Sequence, residues 1–300
     1  MSPLRPPIKN KVESAPTPKS HEESVFEQIK SRLSPEEIKA FEILVRKRLK
    51  DKPAMTEFGY PDTPQDSKKL EQKRKEASLG ETLESKKHYI QAKIFEALVS
   101  ELMQLYWFPD AFITETSDFD DWVNGVDAVF EGKSRAALID FTSHEDQAGI
   151  KQKISNIYNK IDSGELGKVK YLKSQTEKGK KMHIENLPAF IISLGHNTIR
   201  ELINLRLENK KKELAEHWVR YAIAEEVAVQ VEKYINYINN PHRLNYDPNK
   251  AASMSEAYSD LGRDISEFKT RISRGKATDD LILAKLPQKD LAFKALMDNL

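Results

Sequence analysis

Residues 122–142 read WVNGVDAVFEGKSRAALIDFT, and the fold turns on how this stretch is taken. Two strand-forming runs, WVNGVDAVFE (122–131) and AALIDFT (136–142), flank Gly132-Lys133-Ser134. Such runs on either side of a short glycine-containing connection predict an antiparallel hairpin. Each run carries one aspartate among apolar neighbours: Asp127 in GVDAVF and Asp140 in LIDFT. A carboxylate buried alone must shift its pKa, find a partner or bind a cation. On adjacent strands the two can approach each other. A hard cation such as Mg²⁺ takes one or two carboxylates and keeps several waters. Strand alternation puts Thr142 on the same face as Asp140.

Working outward, residues 86–107 (KKHYIQAKIFEALVSELMQLYW) place Ile90, Ile94, Leu98, Leu102 and Leu105 on one stripe of a helix. On that helix Glu101 falls inside the stripe, whereas Glu96 points the other way. Pro109-Asp110 ends the helix, and AFITET (111–116) supplies a strand before the hairpin. Residues 146–162 return to a helical period through Ile150, Ile154, Ile157 and Ile161. A flexible Lys- and Gly-rich stretch follows. LPAFIISLG (187–195) then has the continuous apolar character of a strand buried on both faces.

Towards the N-terminus, residues 22–50 read as a helical hairpin arm divided by Ser34-Pro35-Glu36-Glu37, a helix-start signal. The proline-rich residues 1–21 are expected to be a disordered tail, and 51–85 a polar linker, helical in part. Beyond the core at 86–200, residues 201–300 form a C-terminal helical extension. It is helical from Asn197 to about Asn239 with a break near Lys210–Lys212, then polar with short helical patches. Trp218 and Tyr221 read as helix packing.

Charge is unevenly spread. From Ile94 to Glu131 there is no Lys or Arg but nine acids: Glu96, Glu101, Asp110, Glu115, Asp118, Asp120, Asp121, Asp127 and Glu131. Residues 115–121 read as a solvated acidic loop. Positive charge returns in the 168–181 segment with Lys168, Lys170 and Lys173 among others, a candidate contact for nucleic-acid phosphates. Arg200 and Lys210–Lys212 would extend that patch.

The order helix, three strands, helix, strand, with Asp127 on the second strand and Asp140-Phe141-Thr142 on the third, resembles the PD-(D/E)XK nuclease superfamily. The resemblance covers about residues 86–200 and rests on a short, degenerate motif. It implies an α/β fold with a restriction-endonuclease-like core (helix, three-stranded meander, helix, strand) and N- and C-terminal helical extensions. It also implies an Mg²⁺-dependent endonuclease, a hydrolase acting on DNA phosphodiester bonds, with Mn²⁺ as a substitute ion. Asp127 and Asp140 would hold the metal and Glu101 would support the site. The family's lysine two residues beyond the third-strand acid is replaced here by Thr142. Either a lysine reaches in from the following helix, or the site is weakened or dead. Lys151 is preferred because Gln147, Lys151 and Tyr158 form one polar-aromatic edge, while Lys153 lies on the other flank. Pro109-Asp110 precedes the first strand and is not the motif.

The 300-residue composition narrows the field. A net charge of +1 excludes a strongly basic coat protein, and the absence of cysteine excludes disulfides, thiolate metal sites and cysteine nucleophiles. Mean hydropathy is −0.64, with no apolar run long enough to cross a bilayer and no signal-peptide h-region, so a cytoplasmic protein with no membrane partner is expected. No HExxH, phosphate-binding glycine loop or GxSxG elbow occurs. Two other readings stay open: a catalytically degenerate nucleic-acid-binding protein of the same fold, and a helical adaptor. A homodimer through the C-terminal helices fits any of them.

Overall fold

The structure is a computed structural model and describes residues 20–143, 147–243, 245–273 and 290–300. The N-terminal helices are α1 (His21–Ile29), α2 (Pro35–Ala40), α3 (Arg46–Asp51) and α4 (Thr63–Ser78), followed by the long α5 (Leu83–Leu102). Strands β1 (Phe112–Glu115), β2 (Ala128–Glu131) and β3 (Ala136–Thr142) lead into α6 (Gln147–Ser163). Then come β4 (Gly167–Lys173), β5 (Lys181–Leu187), β6 (Ala189–Ser193) and α7 (His196–Leu207). The chain closes with α8 (Lys211–Ala215), α9 (Val219–Ile238), α10 (Pro248–Ser273) and α11 (Leu291–Asn299).

The chain is thus a mixed α/β fold. β2 and β3 pair antiparallel, with Ala128 opposite Ile139 and Glu131 opposite Ala136. The connecting turn is held from outside, because the Asp264 carboxylate of α10 accepts from Ser134 N–H at 3.0 Å and from its hydroxyl at 2.7 Å. A Cβ at Gly132 would collide with that carboxylate, which is why a glycine stands there. β1 adds antiparallel to β2 and β6 adds parallel to β3, giving the order β1-β2-β3-β6.

β6 is an edge strand, and its main-chain groups need partners. Gln230 on α9 supplies two of them: its side-chain amide accepts from Ile191 N–H and donates to Ile191 C=O, each at 2.8 Å. Glu226, one turn earlier, accepts from Ser193 N–H at 3.2 Å and from its hydroxyl at 2.9 Å. Burial pushes the Glu226 carboxyl far above its usual range. Two polar residues inside an apolar helix therefore cover a sheet edge.

α5 lies between the sheet and the N-terminal helices. One hydrophobic cluster runs from Val25, Phe26 and Phe41 through Ile94, Phe95 and Leu98 to Ile139, Ile192, Val227 and Leu296. The N-terminal helices are therefore walls of the same core as the sheet. α2 begins at Pro35 with a reciprocal cap, Glu37 N–H to Ser34 Oγ at 3.2 Å and Ser34 N–H to Glu37 Oε2 at 2.7 Å.

Several expectations are corrected. The second strand starts at Ala128, because Asp120–Asn124 forms a helical turn closed by Gly125 at φ 67°. Asp120 fixes that turn: it accepts from Ser117 Oγ at 2.8 Å and from the Asn124 side chain at 2.7 Å. The Lys- and Gly-rich stretch is a two-stranded antiparallel sheet, β4 with β5. Its Lys170 and Tyr171 amides donate to Asp120 at 2.8 and 2.9 Å. The 51–85 segment, expected to be helical in part, does contain a helix, the sixteen-residue α4. The polar region after Pro241 holds one 26-residue helix, α10, in place of short patches. The N-terminal tail expectation falls largely outside the described residues, but Ser20 caps α1, which starts at His21. Among the described residues, no helix is long and apolar enough to cross a membrane.

Candidate active site

The hairpin ladder ends one residue short of Asp127, and the aspartate side chain takes over from the backbone. Asp127 N–H donates to Ile139 C=O at 3.1 Å, while its Oδ2 accepts from Phe141 N–H at 2.8 Å. The Asp127 carboxylate is thereby fixed on the main chain of the residue that follows Asp140. From α6, Lys153 Nζ pairs with Asp140 Oδ1 and lies 3.3 Å from Phe141 C=O. Asp127 and Lys153 thus grip both polar groups of the Phe141 backbone, with Asp140 joined to them through Lys153.

A third acid comes from α5, and it is Glu96. Its side chain is buried, 2.9 Å from Lys93 and 3.5 Å from Arg48. Burial, then the neighbouring Asp127, push the Glu96 carboxyl up to about 8 against the pull of those two cations. Asp140 is lifted by burial to about 6, with Lys153 drawing it down and Asp127 pushing it further up. Burial alone would depress the Lys153 ammonium, but Asp140 and Asp127 outweigh it and its pKa rises. Lys153 is therefore a fixed positive charge at neutral pH.

Glu96, Asp127 and Lys153 line one cavity of about 480 Å³, together with Tyr89, Thr142 and His196. Around Glu96 the acid-rich stretch meets cations from the N-terminal helices. Arg48 pairs with Glu115 and donates to the Asp127 C=O at 2.8 Å. Lys52 reaches Asp118 at 2.6 Å and Asp121 at 3.0 Å, Arg74 reaches Asp118 at 2.6 Å, and Lys93 reaches Asp121 at 3.1 Å. Burial opposes the Asp121 charge, but Lys93 and Lys52 prevail and hold that carboxyl far below its ordinary range. The expected solvated loop at 115–121 is instead a largely buried ion-pair network. Its cations lie at 48, 52, 74 and 93, outside the run that looked uncompensated.

Other candidate residues sit elsewhere. Glu101 faces away from Asp127, tied to Arg206 at 2.6 Å and Lys47 at 3.4 Å. The one-stripe reading of α5 fails because the helix is covered on opposite sides: Phe95, Glu96, Ala97, Leu98 and Val99 are all buried, whereas Leu105 is 56% exposed. A helix apolar nearly all round belongs inside a core. The signal for Glu96 was its place between Phe95 and Ala97, with Lys93 one turn before. Lys151 is exposed on α6, and the lysine that meets the acids is Lys153. Tyr158 packs against Tyr234 and Tyr237, so it is no part of a catalytic edge.

The three candidate phosphate-binding lysines are unequal. Lys170 is held by Asp62 and by Asp66 at 2.5 Å, so its charge is already spent inside the protein. Lys173 is exposed, 3.9 Å from Glu57. Lys168 is exposed near Lys160, whose ammonium is depressed by burial and by Lys168, while Asp140 opposes the shift.

Among the described residues no group of three or more His, Asp or Glu side chains is placed to hold a metal ion. Mg²⁺ needs only one or two carboxylates, completing its shell with water and substrate phosphate. Asp127 raises the pKa of both Glu96 and Asp140, so the acids repel one another across this site in a way that a cation would relieve. In comparisons with known proteins, no family model, no curated protein and no solved structure matches the chain.

Proposed function

We propose that the protein is a metal-dependent nuclease with a restriction-endonuclease-like core, hydrolysing DNA phosphodiester bonds with Mg²⁺, or Mn²⁺ in its place. The observation that carries this reading is the convergence on Phe141: Asp127 on its amide, Lys153 near its carbonyl, and Lys153 paired with Asp140. The element order and the mixed sheet β1-β2-β3-β6 also support it. Asp127 and Asp140 would hold the ion, with Glu96 completing the acidic wall. A bound Mg²⁺ would supply Lewis-acid polarisation of the phosphate and a more acidic water.

The chain's own groups have separable roles. Lys153 stays protonated, so it neutralises charge developing on the phosphate oxygens and does not take a proton from water. Its position answers the absence of a lysine at Thr142: the ammonium arrives from the next helix. That weighs against the catalytically degenerate reading. Glu96, with a carboxyl titrating near 8, can exchange a proton within the working range. Arg48 fixes both the Asp127 main chain and Glu96, making it a positioning residue. The adaptor reading called for a bare apolar stripe on residues 22–50 or 197–239. Phe26, Ile29, Phe41, Leu202, Val227 and Tyr234 are instead buried in the shared core.

The test is cleavage of supercoiled plasmid DNA by the purified protein in Mg²⁺ and in Mn²⁺. Metal-dependent nicking that Asp127→Ala and Lys153→Met each reduce at least about a hundredfold is expected, given the usual size of single electrostatic contributions to catalysis. Nicking that survives Asp127→Ala undiminished would remove the proposal.

A further inference from the structure

Resting on the nuclease reading, the geometry points to a phosphate-binding groove leading away from the acidic site, with Arg32 and Arg200 as its anchors. The 480 Å³ cavity at Glu96 and Asp127 shares His88, Gln91, Ser143 and His196 with a neighbouring cavity of about 610 Å³. The two cavities therefore adjoin along these residues, and we treat them as the two ends of one cleft. Its far part runs between the start of α2, the first half of α5 and the start of α7, where Arg32 and Arg200 line it.

These two arginines are set apart by what they lack. Among the described residues, every other arginine has a carboxylate or a hydrogen-bond partner. Arg32 and Arg200 have neither, both are exposed, and both border the same cleft. A guanidinium suits a phosphate because its planar fork can donate two parallel hydrogen bonds to a pair of oxygens. Lys87 adds a third cation to the lining.

The cleft also holds two acids, and their states matter. Glu37 is engaged, accepting from Ser34 N–H at 2.7 Å and from the Gln91 side chain at 2.7 Å. Glu36 is exposed at the rim. The lining is therefore mildly basic, which suits a phosphodiester backbone gripped at two points more than a broad electrostatic surface. The Lys168–Lys173 strand is a weaker candidate, since Lys170 is already paired with Asp62 and Asp66. In this assignment the strand being cut lies along the cleft, its scissile phosphate at the acids and flanking phosphates at Arg32 and Arg200.

The experiment measures binding of a short fluorescein-labelled DNA duplex by anisotropy in Ca²⁺ buffer, across a KCl series. Wild type is compared with Arg32→Gln/Arg200→Gln and with Lys168→Ala/Lys173→Ala. The arginine pair is expected to lose about tenfold affinity for each contact removed. It should also lower the slope of log affinity against log salt by about 0.9 per phosphate, while the lysine pair retains most of the wild-type affinity. An Arg32→Lys/Arg200→Lys variant should recover part of the loss, because charge returns without the fork. An Mn²⁺ titration of the arginine variant checks that the acidic site is intact. Wild-type affinity and salt slope in the arginine variant, or a wild type that does not bind the duplex, overturns the groove. Loss of DNA binding in the arginine variant, with a wild type that takes up no Mn²⁺, would retire the metal site and leave the groove standing.

Discussion

Replacing Lys153 by Gln should make stability depend on pH in a way no exposed lysine could. In the wild type the Asp140 carboxyl titrates near 6, held there by the Lys153 ammonium against burial and Asp127. An opposite charge at contact distance lowers a carboxyl pKa by about 1–3 units. Removing the ammonium should therefore raise Asp140 to about 7–9. A raised folded-state pKa favours folding below the unfolded value and loses that contribution as pH climbs through the folded value. In both proteins the protonated acid is tolerated at pH 5. At pH 8 the variant must hold a half-buried carboxylate without its partner or keep it protonated. One pKa unit is worth about 1.4 kcal/mol. The side chains of Lys153 and Asp140 are 26% and 29% exposed, so solvent screens part of the pair. The expected penalty is about 1–2 kcal/mol at pH 8, shrinking as pH falls through about 6 and nearly gone at pH 5. Urea unfolding at both pH values measures it, with Lys151→Gln as the control expected to change neither. An equal penalty for Lys153→Gln at pH 5 and pH 8, or a pH-dependent one for Lys151→Gln, would refute the pairing.

Three further outcomes are expected. Gln230→Leu strips partners from the buried N–H and C=O of Ile191 on the β6 edge, which at about 1–3 kcal/mol for each of the two orphaned groups should cost about 2–6 kcal/mol in urea unfolding. Asp120→Ala releases the amides of Lys170 and Tyr171, so hydrogen exchange at those two positions should accelerate while exchange in β3 is unchanged. Glu101→Gln breaks a partly exposed pair with Arg206 and should cost at most about 1 kcal/mol, with Mn²⁺ affinity at the wild-type level; Glu96→Gln should weaken that affinity.

The parts of the fold written in local pattern were legible. The hairpin followed from two strand-like runs around Gly132, β6 from its unbroken apolar run, and α2 from its serine-proline start. What was missed depended on partners distant in sequence. Trp122 and Val123 look strand-forming, but Asp120 captures Ser117, Asn124 and two amides of β4 and bends the chain into a turn. β4 hid behind its lysines, although Val169 and Tyr171, both fully buried, alternate with Lys168 and Lys170 in the period of a strand. In α10 the apolar residues Ala251, Met254, Tyr258, Leu261, Ile265 and Phe268 recur every three to four positions and are all buried, a pattern diluted by polar neighbours.

The candidate site was half legible for the same reason. Asp127 and Asp140 stood out because a charge among strand residues has few explanations. Choosing between Glu96 and Glu101, or Lys151 and Lys153, required knowing what covers α5 and which flank of α6 faces the sheet. For α5 the apolar neighbours of Glu96 hinted at the first, but the flank of α6 that faces the sheet is not encoded within that helix. The acidic stretch looked unbalanced because Arg48, Lys52 and Arg74 enter from helices that read as a separate arm and linker.

The most direct test of the shared site is a calorimetric Mn²⁺ titration of the wild type beside Asp127→Ala/Asp140→Ala. The wild type should bind with an affinity that climbs between pH 6 and 9, as the carboxyls near 6 and 8 release their protons, and the double variant should show no such binding. Superimposable titrations of the two proteins, or a wild type that takes up no Mn²⁺ at pH 9, would contradict the account.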